Sequence, residues 1–400
     1  MECNTFEFIR TIHHIGQGAF YTEQFKDLND MPIATVVYDC GSDSRANISE
    51  GKKKYVQNCF PKGTVIDVLF ISHLHADHIN GINILIKEYN IKTVVLPYLE
   101  DIDKIMFLFD LESINPNNET FDSFKDLIIN PISFFNSESH KETKVLFIDP
   151  VLDAKNEGEE RFVEDIDTNS NISNGQRLKL NRVCPWLYIP LYCNKNERKE
   201  EFQKKIKAAS IEWPTNRLDI FDPSEKVMKE KIKKLYGQKG EKINENSMML
   251  YSGANEHFHS RGIPRKLLNL CPWLDILNYT RLNSSCLYTG DVSMKAIDID
   301  RDIINIIGKD RATKISLIQV PHHGSKMNYD EKIFNISSNR PLYFLSCGIN
   351  NNYGHPSSET IYEFNKRHKP LYCVTDNPDR QLIFRFKVEM KTVTGKREEE

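Results

Sequence analysis

Apolar and polar positions along the first hundred residues fall into short runs that suit strands joined by turns. FEFIRTIHHI (6–15) alternates and is broken by Gly16-Gln17-Gly18, and MPIATVVY (31–38) is a second apolar run that stops at Asp39-Cys40-Gly41. VIDVLFIS (65–72) predicts a buried strand, INILIKEY (82–89) carries helical periodicity, and TVVLPYL (93–99) predicts the next strand. From about 100 to 240 the chain turns polar and charge-rich, as in GEERFVEDID (158–167), NERKEEFQKKIK (196–207) and SEKVMKEKIKKLYGQKGEK (224–242). The last two predict solvated helices, and 100–243 reads as a large insertion inside a single domain spanning 1–400. Strand-like runs return at 247–252, 285–290, 315–320, 342–346 and 371–375. Strands at both ends with a few helices predict an α/β (α+β) fold, an αββα sandwich of two sheets covered by helices.

Composition changes the picture only at its edges. A hydrophobic fraction of 40% against 27% charged places the chain with ordinary globular proteins and away from disordered ones. A formal net charge of −3 argues against a protein that coats nucleic acid over its whole surface, while a local basic groove stays open. No run approaches the eighteen or so apolar residues that span a bilayer, and MECNTFEFIR lacks the apolar core of a secretory leader. The nine cysteines are scattered, odd in number and without a C-x-x-C pair, which favours reduced thiols and a cytoplasmic protein. CPWL occurs at 184–187 and again at 271–274, an echo too short to mark a repeat.

The chemistry concentrates in His73-Leu74-His75-Ala76-Asp77-His78, directly after the strand at 65–72. Histidines at i and i+2 of an extended segment project to the same side, so His73 and His75 can reach one ion. Asp77 and His78, as the chain turns into a helix, can offer an oxygen and a nitrogen to a second ion beside it. Neutral imidazole and carboxylate suit zinc and are usable by manganese or iron.

His-x-His-x-Asp-His after a strand resembles the signature of the metallo-β-lactamase superfamily, and the chain is similar to its ComEC-type branch. IGQG (15–18), the Asp39-Cys40-Gly41 turn, SHLHADHING (72–81), NENS (244–247), LYTGD (287–291), VPHHGS (320–325) and GINNNYGHP (348–356) occur in that family's order. The resemblance implies two divalent metal ions, zinc first and manganese second. His73 and His75 would bind one, Asp77 and His78 the other, and Asp291 would bridge them. Of His322 and His323, it assigns His323 to the second ion and leaves His322 to orient a ligand or contact phosphate. His355 would ligate, contact substrate or cap its loop.

Three departures limit what carries over. The place of a further histidine before the bridging aspartate holds Asn244, Glu245, Asn246 and Ser247, which leaves the first ion short of a protein ligand. Ala19-Phe20 follows Gly-Gln-Gly where the branch usually has an aspartate, and no membrane channel is attached. His257-Phe258-His259 repeats the i, i+2 spacing without a partner Asp-His and reads as a loop or edge strand; His13-His14 reads as packing, and Asp39 as a brace for the metal loop.

The reaction this implies is hydrolysis of phosphodiesters by a metal-activated hydroxide, with Asp77 orienting it and His322, His355 or backbone N–H groups of the HHGS turn aiding the leaving group, and Ser325 and Lys326 receiving phosphate. Nucleic acid is the expected substrate, so the protein would be a nuclease. The alternatives are a hydrolase of a small phosphoester or cyclic nucleotide with the insertion as lid, and an effector subunit of a multiprotein complex, such as a defence complex, that docks a protein partner on the insertion. No membrane partner is expected.

Overall fold

The computed structural model describes residues 5–42, 49–114, 118–138, 142–151, 159–184, 186–193, 197–237, 247–255, 258–262 and 283–390. β1 (Thr5–Ile12) and β2 (Phe20–Lys26) pair antiparallel across the Gly16–Gly18 turn, and β3 (Pro32–Cys40) pairs antiparallel with β2. The next strands run parallel, so each needs a crossover. α1 (Glu50–Gln57) leads to β4 (Val65–Phe70), and α2 (Ala76–Ile79) with α3 (Ile82–Glu88) leads to β5 (Asn90–Pro97). α4 (Asp101–Ile114), α5 (Asn118–Ile129) and α6 (Pro131–Glu138) return the chain to β6 (Lys144–Asp149).

Four short strands follow, β7 (Glu160–Phe162), β8 (Ser170–Ser173), β9 (Arg177–Lys179) and β10 (Leu187–Tyr192), then α7 (Glu197–Ala208) and α8 (Lys226–Tyr236). The last third supplies β11 (Met248–Gly253), β12 (Phe258–Gly262), β13 (Cys286–Tyr288), β14 (Leu317–Gln319) and β15 (Leu342–Ser346). It ends with α9 (Ser358–Lys366), β16 (Leu371–Val374) and β17 (Leu382–Met390). One sheet runs β12-β17-β1-β2-β3-β4-β5-β6-β8, the other β16-β15-β14-β13-β11-β10-β9-β7.

Burial sorts the apolar residues into the layers the sequence predicts. Phe6, Phe8, Phe25, Trp186, Tyr188, Tyr288 and Phe344 fill the space between the sheets. Val37, Leu69 and Val94 on the outer face of the first sheet meet Leu85, Ile105 and Leu108 of its helices. Met249, Leu287, Ile318 and Tyr343 on the far side of the second sheet meet Ile303 and Phe364. The result is an αββα sandwich.

Several elements depart from the sequence reading. β17 was not expected, although LIFRFKVEM alternates cleanly; Leu382, Phe384, Phe386 and Val388 are its buried positions, and it pairs along all of β1. Within 100–243, β6 and β8 join the first sheet while β7, β9 and β10 join the second. The helices read as solvated each turn an apolar face inward, Phe202 and Ile206 on α7 and Ile232 and Tyr236 on α8. Their charged faces dominate the composition, but a helix of this kind packs with only a narrow stripe. Among the described residues no helix is long and apolar enough to cross a membrane, and the described cysteines are free thiols.

Candidate metal centre

Local backbone chemistry explains why the histidine segment sits where it does. After β4 the chain stays extended through His75, whose φ of −79° and ψ of 149° make it the N-cap of α2. Extended geometry points His73 and His75 to one side, and their facing nitrogens, His73 Nε2 and His75 Nδ1, lie 3.1 Å apart. The first turn of α2 then swings Asp77 and His78 inward. The two glycine turns make room for this segment: a Cβ on Gly41 would lie 2.5 Å from the Asp77 carbonyl oxygen, which itself accepts from Ala19 N at 3.1 Å.

The opposite wall comes from three strand ends. Asp291 follows β13, His322 and His323 follow β14, and the β15–α9 loop brings His355. His322 (φ 48°) and His323 (φ 54°) both adopt left-handed backbone, followed by Gly324 (φ 80°). Such a conformation costs a non-glycine residue on the order of 1–3 kcal/mol and clusters at functional sites. Its effect here is to aim adjacent imidazoles at different targets. His323 Nε2 lies 3.2 Å from Asp77 Oδ2, and His322 Nε2 lies 3.7 Å from Asp291 Oδ2.

The hydrogen bonds assign the protons. Ser72 donates its hydroxyl to Asp39 Oδ2 at 2.6 Å, so its oxygen accepts from His73 Nδ1 at 3.0 Å, and the lone pair of His73 is on Nε2. His78 Nδ1 donates to Asp39 Oδ2 at 2.8 Å, leaving its lone pair on Nε2, 3.2 Å from Asp291 Oδ1 and without a hydrogen bond. His323 Nδ1 donates to the Ser346 carbonyl at 2.8 Å, so its Nε2 lone pair faces the Asp77 carboxylate. Asp291 turns Oδ1 toward His78 and Oδ2 toward His73 (3.8 Å) and His322. With neutral imidazoles, acceptors thus face acceptors at several places in a buried cluster, an arrangement that repels unless a cation or a proton sits between them.

The ionisation behaviour agrees. Burial, aided by His78, holds His73 well below the ordinary imidazole range, and burial lowers His75 to about 4, so both remain neutral donors. Burial would also lower His78 and His323. Asp291, Asp39 and Asp77 around His78 outweigh it, as do Asp77 and Asp291 against His323, and both are raised. Burial opposes ionisation of Asp77 and Asp291, yet His78 with the neighbouring histidines holds both carboxyls below their usual range. With no cation, protons are drawn to the places a cation would take. Asp77, His78, Asp291 and His323 bring one ligand atom each within 4.8 Å of one another, so the donor set fits a divalent ion.

The candidate residues therefore converge: Asp77, His78, Asp291 and His323 form the four-donor group, and His73, His75 and His322 lie directly beside it. His355 joins its edge, with its ring 5.5 Å from that of His322, its Nδ1 buried without a hydrogen bond, and burial lowering it to about 4. Three of the four N–H groups of the HHGS turn are already engaged within the protein. His322 N bonds Gly290 O, Gly324 N bonds Pro321 O, and Ser325 N bonds His322 O. Lys326 faces Glu359 at 3.4 Å.

Sequence reasoning did not single out Ser72, Asn328, Ser346 or Phe107. Ser72 lies inside the SHLHADHING segment and Asn328 only six residues after His322, while Ser346 and Phe107 reach the site through the fold. Asn244, Glu245, Asn246 and His257 lie outside the described residues, as does the side chain of His259, while Ser247 Oγ accepts from Asp291 N at 3.0 Å. His13 is buried between Tyr55 and Thr22, away from the cluster.

Asp39 carries the brace: Ser72 N and Oγ, and His78 Nδ1, all donate to its carboxylate. It has a φ of 55°, which asparagine tolerates, so Asp39→Asn spares the backbone. The expected result is a loss of metal affinity of about 10–100-fold, the usual effect of losing a ligand's orienting partner, read by competition with a chromogenic chelator. Unchanged affinity would reduce Asp39 to a packing residue.

The model of the metallo-beta-lactamase superfamily matches residues 34–105, a segment from β3 into α4 that contains His73, His75, Asp77 and His78. No curated protein matches the chain. The superfamily segment and the four-donor cluster together point to a metal-dependent hydrolase.

Proposed function

We propose that this chain, which carries a metallo-beta-lactamase superfamily segment at 34–105, is a metal-dependent phosphodiesterase of the ComEC type whose first substrate class is nucleic acid. One observation carries the reading: the two oxygens of Asp291 face two separate groups of nitrogen lone pairs. His73, His75 and His322 stand on one side, and Asp77, His78 and His323 on the other. His322, 3.7 Å from Asp291 Oδ2, would then be the residue placed to supply the missing ligand of the first ion. Divalent cations held there, zinc first and manganese second, would supply charge neutralisation and lower the pKa of a water at neutral pH. Asp77, kept ionised, would orient the attacking water by accepting its hydrogen bond. His355, neutral and at the cavity's edge, meets the phosphoryl oxygens or the leaving group.

Support for nucleic acid comes from the rim. Tyr353 is 53% exposed and stacks on His355 at 6.0 Å, with Ile349 and Met327 also exposed on the same pair of loops. Asn351 holds that loop through Gly348 O, His355 O, Tyr353 N and His355 N, so the aromatic face is preorganised. Exposed aromatic faces of this kind stack on unpaired bases. The second reading, a small phosphoester, is favoured by α4, which lays Phe107 against His75 and narrows the opposite side.

The test is hydrolysis of bis-p-nitrophenyl phosphate beside single- and double-stranded DNA and RNA, with zinc or manganese, before and after chelation. Cleavage of nucleic acid that disappears on chelation and returns with metal is the expected result. Turnover of the small ester alone would favour the second reading. No turnover with metal shown bound by elemental analysis would mean that the active form needs a partner or that phosphodiesters are the wrong bond.

A further inference from the structure

We infer that Phe107 is a positioning residue that holds His75 in its ligating orientation, so that the helices α4, α7 and α8 set how tightly the first cation is kept; the inference rests on the metal reading above.

The other imidazoles assigned to the cations are each fixed by a hydrogen bond behind the ligating nitrogen. His73 Nδ1 meets Ser72 at 3.0 Å, His78 Nδ1 meets Asp39 at 2.8 Å, His322 Nδ1 meets Asn328 at 2.7 Å, and His323 Nδ1 meets Ser346 O at 2.8 Å. His75 is the exception. Its Nδ1 faces His73, and its Nε2 makes no hydrogen bond among the described residues. What lies against its ring is Phe107, 5.4 Å between centroids and inclined at 68°. Phe107 is 2% exposed, so its ring has little room to move. An edge contact from a fixed aromatic ring blocks rotation of the imidazole sterically, where its neighbours use a proton.

α4 is itself anchored on both sides of Phe107. One turn earlier, Asp103 takes Lys199 Nζ of α7 at 2.7 Å. One turn later, Asp110 Oδ1 accepts from Tyr236 of α8 at 2.9 Å, and beyond it Glu112 takes Lys229 and Lys233 at 2.7 and 2.6 Å. Asp103, Asp110 and Lys199 are buried. Buried ionic contacts add little net stability, but a helix shifted by one residue would strand those charges. Their consequence here is a defined register for α4, and therefore a defined place for Phe107.

The experiment is calorimetric titration of the metal-free protein with zinc. In Phe107→Ala one class of site should weaken by about 10–100-fold, as for loss of a ligand's orienting neighbour, while the other keeps its affinity. Phe109→Ala is the control. Phe109 is as deeply buried in the same helix but packs on Phe221 and Tyr236, so this variant should lower the melting temperature and leave both affinities alone. Should Phe107→Ala not fold, Phe107→Leu keeps most of the volume, loses the ring edge and carries the same comparison. Two unchanged affinities in the Phe107 variant, or an equal loss in Phe109→Ala, overturn the inference. A wild-type chain that takes up no zinc overturns the metal reading itself, and this inference falls with it.

Discussion

Asp291→Asn should abolish nearly all metal-dependent turnover while leaving the fold in place. The two side chains have the same shape, and the backbone contacts of residue 291, Ser247 Oγ to its N and Asn328 Nδ2 to its carbonyl, do not depend on the charge. What disappears is the carboxylate that faces His78 with one oxygen and His73 and His322 with the other. Cation chemistry of this type is worth several kcal/mol of transition-state stabilisation, so a loss of about 10³-fold in kcat/KM is expected. A second readout separates chemistry from folding. Bound metal stabilises the folded state by about 2.7 kcal/mol at one hundred times its dissociation constant, and the rise in Tm on adding zinc should collapse in the variant. Turnover and zinc-dependent Tm both near wild type would remove Asp291 from the centre.

The largest effect on stability is expected at Arg10, which makes no contact with the candidate metal residues. Arg10 lies fully buried between the sheets, where its Nε donates to Glu23 Oε1 at 2.8 Å and Tyr288 Oη at 2.9 Å. Its other nitrogens reach the Ser284 carbonyl at 2.6 Å and Ser252 Oγ at 3.1 Å. Glu23 is completed by hydroxyls of Tyr188, Tyr288 and Ser252. Burial would favour the neutral guanidine, but Glu23 and its neighbours hold Arg10 charged. Arg10→Met strands a carboxylate in the core, and breaking one half of such a pair costs about 3–5 kcal/mol. Urea unfolding should show that loss, with Arg10→Lys recovering little because an ammonium cannot make the directed fork. The double variant Arg10→Met, Glu23→Leu should recover a large part, since no charge is then left unpaired. A fully additive loss in the double variant would mean that the pair does not act as a unit.

Most of the site was legible before folding because its chemistry is local. Two histidines at i and i+2 after an apolar strand share a side in any extended backbone, and a helix starting at residue 76 must turn Asp77 and His78 together. The strands at 65–70, 342–346 and 371–374 were legible for a similar reason, since their apolar runs are bounded by turn residues. β17 was equally legible from its alternation and was passed over. β6 and β10 were equally legible as the apolar runs KVLFID and LYIPLY; β7, β8 and β9 were not, because polar strands of three or four residues are decided by their neighbours in the sheets.

Where the sequence left two histidines at 322 and 323 with one assignment between them, consecutive left-handed residues aim both at the cavity. Asn328 holds that conformation from the same loop, and Gly290 and Ser346 hold it from the ends of neighbouring strands. The contact of Phe107 with His75 is similar, since a phenylalanine in an apolar helix carries no mark of its target. By itself, then, the sequence determined the candidate donor types, their order and the sandwich that carries them, all consequences of periodicity and residue chemistry. Only the tertiary structure decided which lone pairs face one another, because that depends on contacts between residues more than two hundred positions apart.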